Sequence, residues 1–233
     1  MTYNNDLPKF NILDFLVSTG VTHTTSLGGV PAQVGAQYAF DYLLLDREEF
    51  IRRHTLSLVG ALVPNQTFLT QGFGRFQNKE FNEQGTVIAE EIRDANNWMV
   101  GFLQFVRFEQ DKHFLKFGYQ FDYEDADGRN FEYAGHRLQA GAQYTLPWMA
   151  IRLKYDFDVH LRDYLNKNTV LPSNAPGTRS RYDTEITNVV RGELPLPYNL
   201  TLAAEYQRTD AHSNLAVFDY TRNVFTVLLS WTY

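Results

Sequence analysis

In the stretch IRLKYDFDVHLR, residues 151–162, every second side chain is apolar and every one between is ionisable. Ile151, Leu153, Tyr155, Phe157, Val159 and Leu161 form one set; Arg152, Lys154, Asp156, Asp158, His160 and Arg162 form the other. A helix would scatter both sets around its axis, whereas an extended strand places alternate residues on opposite faces. The stretch therefore reads as a strand with one face in an apolar medium and the other in a polar one.

The same period of two runs through most of the chain. QVGAQYAFDYLL sets Val34, Ala36, Tyr38, Phe40 and Tyr42 against Gln33, Gly35, Gln37 and Asp41. HFLKFGYQFDY, HRLQAGAQY, NLTLAAEYQRT and the terminal VFTVLLSWTY alternate in the same way. About eleven such segments can be marked, the first at 13–24, most of them roughly 10–14 residues long; a tilted strand needs about 9–11 to cross a bilayer. The connections alternate too. VPNQ, EQDK, TLPW and LPLPYN are short and carry turn residues, while 78–97, 124–135, 163–180 and 210–220 are long and polar. An up-and-down meander with tight turns at one end and long loops at the other produces that order.

Period two alone leaves two architectures open. A soluble β protein turns its apolar face inward, and a transmembrane barrel turns it to lipid and lines its lumen with the polar face. Strand length and loop asymmetry favour the barrel, since strands in globular proteins average about 5–6 residues. Aromatic residues make up 15% of the 233 residues. Tyr123, Tyr133, Tyr144, Trp148, Tyr164, Tyr182, Tyr198, Tyr206, Tyr220, Trp231 and Tyr233 fall near strand ends, where girdles of amphipathic rings meet the lipid–water boundary. The expected fold is all-β, an antiparallel up-and-down transmembrane β-barrel of about 10–12 strands over 13–233, with 1–12 as an extension or a shortened upstream strand.

Composition removes other classes. A net charge of −6 gives no support to nucleic-acid binding. No run approaches 18 apolar residues, so no transmembrane helix is expected, and MTYNNDLPKF has neither the basic nor the apolar region of a signal peptide. The chain has no cysteine, which excludes disulfides and thiolate metal sites. The six histidines show no HExxH spacing, and GFGRF and GGV lack the Lys-Ser/Thr of a phosphate loop. HSN at 212–214 suggests a hydrolase, but Ser and His must converge from separate elements for proton transfer; a polar loop is the expected reading. YEDADGRN at 123–130 is oxygen-rich like a calcium loop but lacks the closing Glu of the twelve-residue pattern; a solvated loop is expected, with weak divalent binding as the alternative. No catalytic residue, metal or cofactor is assigned.

Several phrases resemble a known family. RFQNKEF (75–81), RDANNW (93–98), GYQFDYEDADGRNFEYAGHRLQAGAQYTLPW (118–148), RDY (162–164) and SNLAVFDYTRNVFTVLLSWTY (213–233) look like the outer-membrane barrel domain of bacterial tetratricopeptide-repeat proteins. That group is itself similar to the barrels of surface lipoprotein assembly modifiers. The resemblance implies periplasmic helical repeats and further strands upstream, and a polysaccharide or surface lipoprotein as cargo. Trp231 and Tyr233 resemble the C-terminal signal by which barrel-assembly machinery recognises its clients, with Leu228 where a glycine is usual.

The polar face is the best functional candidate. Asp41, Arg107, Lys116, Asp122, Arg137, Arg152, Lys154, Asp156, Asp158, Asp183, Glu185, Arg191 and Glu205 are expected to line the lumen. Seven are acidic and six basic, so either cross-strand pairs fill the barrel or a weakly selective path runs between them. Neutralising Arg152 and Lys154 is expected to leave Asp156 and Asp158 without partners. The expected role is a non-enzymatic bacterial outer-membrane pore, export conduit or anchor. The alternatives are a plugged structural barrel in an envelope assembly and a soluble lipid-binding β protein. Expected partners are outer-membrane lipid, the assembly machinery, and upstream strands or another envelope protein. An odd strand count cannot close antiparallel, so 1–12 adds a short strand, or the chain is part of a larger barrel, or 13–24 lies outside the wall.

Overall fold

A computed structural model describes residues 11–82, 88–169 and 180–232. It is one sheet of eleven strands: β1 Ile12–Leu27, β2 Val30–Leu45, β3 Glu48–Leu62, β4 Phe68–Phe81, β5 Ala95–Phe108, β6 His113–Ala126, β7 Tyr133–Thr145, β8 Arg152–Lys167, β9 Ser180–Leu196, β10 Leu200–Ser213 and β11 Tyr220–Trp231. The strands are ordered in space as they are in sequence, and neighbours pair antiparallel. Two single 3₁₀ turns, Ala89–Glu91 and Ala216–Phe218, are the only helical pieces among the described residues. The shortest strand has 12 residues, roughly 40 Å at about 3.3 Å each, enough to cross a hydrocarbon layer of about 30 Å at a tilt.

The two ends of the sheet differ as the loop pattern predicts, with one exception. Connections 63–67, 109–112, 146–151 and 197–199 share one end with the hairpin at Gly28 and Gly29; 82–94, 127–132, 168–179 and 214–219 share the other. The exception is Asp46 and Arg47, a two-residue turn at the long-loop end. Gly28 and Gly29 (φ 58° and 85°) and Asp46 and Arg47 (φ 52° and 72°) all hold left-handed backbone, as a primed turn requires to match strand twist. The long loops are shorter than the sequence suggests. β4 continues to Phe81, β6 to Ala126, β8 to Lys167 and β10 to Ser213, because paired backbone tolerates polar side chains once both faces of the strand end are wet.

Curvature follows from which side chains meet. Lys79 on β4 reaches Glu124 on β6 at 2.6 Å, and Asp122 on β6 reaches His160 on β8 at 3.0 Å. Each contact skips a strand, whose neighbours lie roughly 9–10 Å apart, so the sheet curls toward this face. On the concave side Asp41, Gln120, Asp122, Asp183 and Glu193 are each 6% exposed or less. On the convex side Trp98, Val100, Leu115, Phe117, Leu138, Leu153 and Phe225 are 45–79% exposed. Buried charge with exposed large apolar side chains inverts the polarity of a soluble domain.

The girdle expectation holds in part. Tyr144, Trp148, Tyr182, Tyr198 and Trp231 are exposed; Tyr123 bonds Glu132 in the adjoining loop, and Tyr206 stacks on Phe225. Tyr133, Tyr164 and Tyr220 instead turn to the concave face, because each shares the parity of the charged residues beside it. Tyr233 lies outside the described residues.

β1 pairs with β2 along its whole length, so it belongs to the wall; it starts at Ile12, one residue before the expected boundary. Among the described residues, the far edges of β1 and β11 carry no partner strand. Both are odd-numbered in an up-and-down order and run in the same direction. Direct pairing between them would be parallel, and a strand antiparallel to both would restore the even count usual in such barrels.

Spin labels at Leu153 and Lys154 in a reconstituted bilayer are expected to show opposite accessibility, oxygen at 153 and a polar relaxing agent at 154. Leu153→Arg is expected to cost about 2–4 kcal/mol if the site is near the midplane. Equal accessibility at both positions overturns the assignment of faces.

Candidate functional site: an ion-paired inner face

Register places all thirteen sequence-selected charges on the concave face. Asp41 pairs with Arg53 on β3. Lys116 meets Asp156 at 2.5 Å and Arg137 meets Asp158 at 3.1 Å. Glu185 receives Arg162 at 3.0 Å and the Tyr220 hydroxyl at 2.9 Å. Asp183 holds Arg181, and Glu205 holds Arg191 at 3.4 Å. Arg107 is set apart near the short-turn end, bound to Asp111 at 3.2 Å and to the Asn65 carbonyl at 3.1 Å.

Partner choice differs from the sequence expectation at one place. Arg152 and Lys154 do not pair with Asp156 and Asp158 on their own strand; they converge with Arg191 on Glu193 of β9, at 3.0, 2.7 and 2.8 Å. Arg152 stands opposite Glu193 in register and Lys154 reaches it on the diagonal, while Arg191 bonds it along their own strand. Glu193, with 6% of its side chain exposed, is the most connected carboxylate of the face. It shares parity with Arg191, but the prolines of LPLPYN suggested a turn from Leu194 onward; the strand in fact runs to Leu196 through Pro195. Arg53, Lys79, Glu124 and Arg181 were also missed, and the same parity rule finds each of them.

Two glycines on β7 make the strand-skipping pairs possible. A Cβ at Gly141 would lie 2.5 Å from Asp156 Oδ1 and 2.6 Å from Lys116 Cε. A Cβ at Gly135 would lie 2.5 Å from Asp122 Oδ1 and 2.8 Å from His160 Nε2. The Lys116–Asp156 ion pair and the Asp122–His160 hydrogen bond cross β7 through these two gaps.

At the long-loop end, described parts of neighbouring loops are bonded to one another. Backbone N–H groups of Asp127, Gly128 and Asn130 donate to the carbonyls of Asp94, Ile92 and Glu90, at 2.8, 3.0 and 3.2 Å. The Asn130 side-chain amide donates to Glu91 and to Thr169. Arg181 lies over the rings of Tyr164 and Phe218, at 4.4 and 3.3 Å, beside buried Leu215. The calcium-like stretch is divided between these roles: Glu124 holds Lys79, and Asp127 and Gly128 join the loop-to-loop ladder. No group of three or more His, Cys, Asp or Glu side chains in a metal-holding arrangement occurs among the described residues. In the HSN triplet, His212 and Ser213 end β10, Ser213 Oγ accepts from the Leu215 N–H, and Asn214 Oδ1 accepts from the Tyr182 N–H.

No protein-family model and no curated protein sequence matches the chain. Solved structures similar to it include OccAB4 from Acinetobacter baumannii, at 14% identity and a TM-score of 0.46 over 89% of this chain. The chain spans 56% of that protein's length. The translocator domain of autotransporter NalP from Neisseria meningitidis is similar at 12% identity and a TM-score of 0.32, over 87% of this chain and 84% of the other.

Removing Glu193 leaves Arg152 and Lys154 without a carboxylate and Arg191 with Glu205 alone. Glu193→Ala is expected to cost about 2–3 kcal/mol, below the 3–5 of a fully buried pair because the cations keep part of their side chains in water. Denaturant unfolding in lipid vesicles reads this, with Asp210→Ala, whose partner Arg208 is half-exposed, as a control expected within about 1 kcal/mol of the parent. Equal costs for the two variants contradict the central place of Glu193.

Proposed function

We propose that the chain is the membrane-embedded wall of a bacterial outer-membrane barrel that gives small solutes a narrow, weakly selective passage. The observation that carries this reading is the inverted polarity: Asp122, Asp183 and Glu193 are buried on the concave face while Val100, Leu115 and Leu138 are exposed on the convex one. A soluble lipid-binding β protein would need the opposite. Ion pairs lining a wet interior supply charge of both signs at close spacing, and fixed charges in a narrow pore set the barriers for permeating ions. Since most of these charges are paired, low conductance with little ion preference follows.

The kinship with barrels of tetratricopeptide-repeat proteins is part of this proposal and rests on the loop and turn phrases. So do delivery by the barrel-assembly machinery through the C-terminal strand, carriage of a polysaccharide or lipoprotein, and any upstream strands or envelope partner. We assign no enzymatic role. A second reading, a plugged anchor, is favoured by the loop-to-loop bonds at the long-loop end, where Asn130 is 2% exposed and Leu215 5%.

Planar-bilayer recording separates the two. The passage reading expects small single-channel steps with a reversal potential near zero in a salt gradient. Neutralising Arg152 and Lys154 together is expected to shift the reversal potential toward cations, leaving Glu193 with Arg191 alone. A wide, strongly anion-selective channel contradicts the face assignment, and silence at every voltage leaves the anchor.

A further inference from the structure

The concave face is chemically divided. β6–β10 carry most of the ion pairs, while the central concave positions of β1–β3 are Ser18, Gly20, Gln37, Ala39 and Ser57, all uncharged. A cavity of about 480 Å³ lies against this neutral half, spanning β1–β5 at mid-height. That volume falls within the range that holds small organic ligands. Its walls include Gly20, Gly35, Val59, Phe73, Met99 and Arg75.

Arg75 is the anomaly. Among the described residues, Arg75 and the exposed Arg222 at the β11 edge are the concave-face cations with no carboxylate within 4.0 Å, and of these two only Arg75 lines the cavity. Its guanidinium donates at 3.0 Å to the neutral side-chain carbonyl oxygen of Asn97. Asn97 is 1% exposed and donates in turn to the Tyr123 carbonyl, so it fixes the guanidinium without neutralising it. A guanidinium with no counter-charge beside it keeps N–H donors free for an anion that enters the cavity.

The rest of the cavity is uncharged, with Thr22, Gln37 and Ser57 beside Val59, Phe73 and Met99. The Phe73 ring lies so close over Gly101 that a Cβ there would come within 2.8 Å of it, and Val59 lies 3.2 Å from where a Gly35 Cβ would be. Glycine on the neighbouring strands lets these two side chains lie along the wall. We propose that this cavity is a binding site for a small organic anion, a carboxylate or phosphate on an apolar body. The charge meets Arg75, whose planar fork suits both groups, and the body rests on Phe73, Val59 and Met99. The site stands whether or not the lumen conducts.

Calorimetric titration of the full chain, folded in detergent, tests this with benzoate against its neutral isostere benzamide. Saturable benzoate binding at roughly millimolar affinity is expected, with benzamide at least about tenfold weaker. Arg75→Gln is expected to abolish the difference between the two ligands, Arg75→Lys to retain part of it, and Phe73→Ala to weaken both. Arg222→Gln, a β11 cation outside the cavity, is expected to leave benzoate binding unchanged. Inorganic phosphate that competes with benzoate supports the same anion site. Equal binding of benzoate and benzamide, an unchanged Arg75→Gln variant that retains its β-sheet circular dichroism, or no saturable benzoate binding up to about 20 mM overturns the proposal. The comparison of ligands on the unaltered chain needs no variant to fold. A barrel that binds benzoate but passes no current refutes the passage and leaves this site standing.

Discussion

A backbone that crosses an apolar medium must satisfy its own hydrogen bonds, because hydrocarbon offers no partner for a free N–H or C=O. Ten antiparallel ladders do this here, from β1–β2 through β10–β11. The ladders also fix parity: once two strands are in register, each side chain is assigned to the concave or the convex face, and one residue of slip would reverse every assignment. Register is therefore protected by a large penalty, since slipping β8 would put Arg152, Lys154, Asp156 and Asp158 into the apolar surroundings and Leu153 and Phe157 among the charges. The same ladder sets a demand at the outer edges of β1 and β11, where backbone groups facing lipid need a strand.

Inside this wall, charge does the work that apolar packing does in a soluble core. Few large apolar side chains are buried; the buried residues are Asn97, Gln120, Asp122, His160, Asp183, Glu193 and Thr209 among others. Isolated ion pairs of this kind contribute little net stability, because the cost of removing each ion from water offsets the attraction. Their value lies in constraint. A pair that spans β6 to β8 over Gly141, or three cations on one Glu193, can form in one register only, so the network specifies the wall even where its net energy is small.

Much of this is legible in the sequence, for a physical reason. Period two is a property of the backbone, so residues 151–162 declare both faces of β8 without any tertiary information, and the thirteen charges chosen by parity share one face. Partner identity is a different kind of fact. Whether Arg152 meets Asp156 or Glu193 depends on the register of β8 against β9, which are joined by the long connection 168–179 and shifted between Asp163 and Lys167. Strand ends mislead for a similar reason. Tyr133 and Tyr164 look like girdle residues by position but are turned inward by parity, and Pro195 looks like a turn residue but sits in a paired strand end. The role of Gly135 and Gly141 is hidden in the sequence because it consists in leaving room for side chains two strands apart.

The division of the concave face has an electrostatic consequence. Where Lys116, Asp156, Arg137 and Asp158 neutralise one another at contact distance, their combined field falls off quickly with distance, so the β6–β10 half is polar but carries little net field. A single uncompensated charge is not silent. Arg75 stands on the opposite, neutral half, and its field is opposed by no carboxylate within contact distance. The paired charges therefore fix the shape of the concave face, while Arg75, with no carboxylate within 4.0 Å among the described residues, leaves its cavity a net positive field.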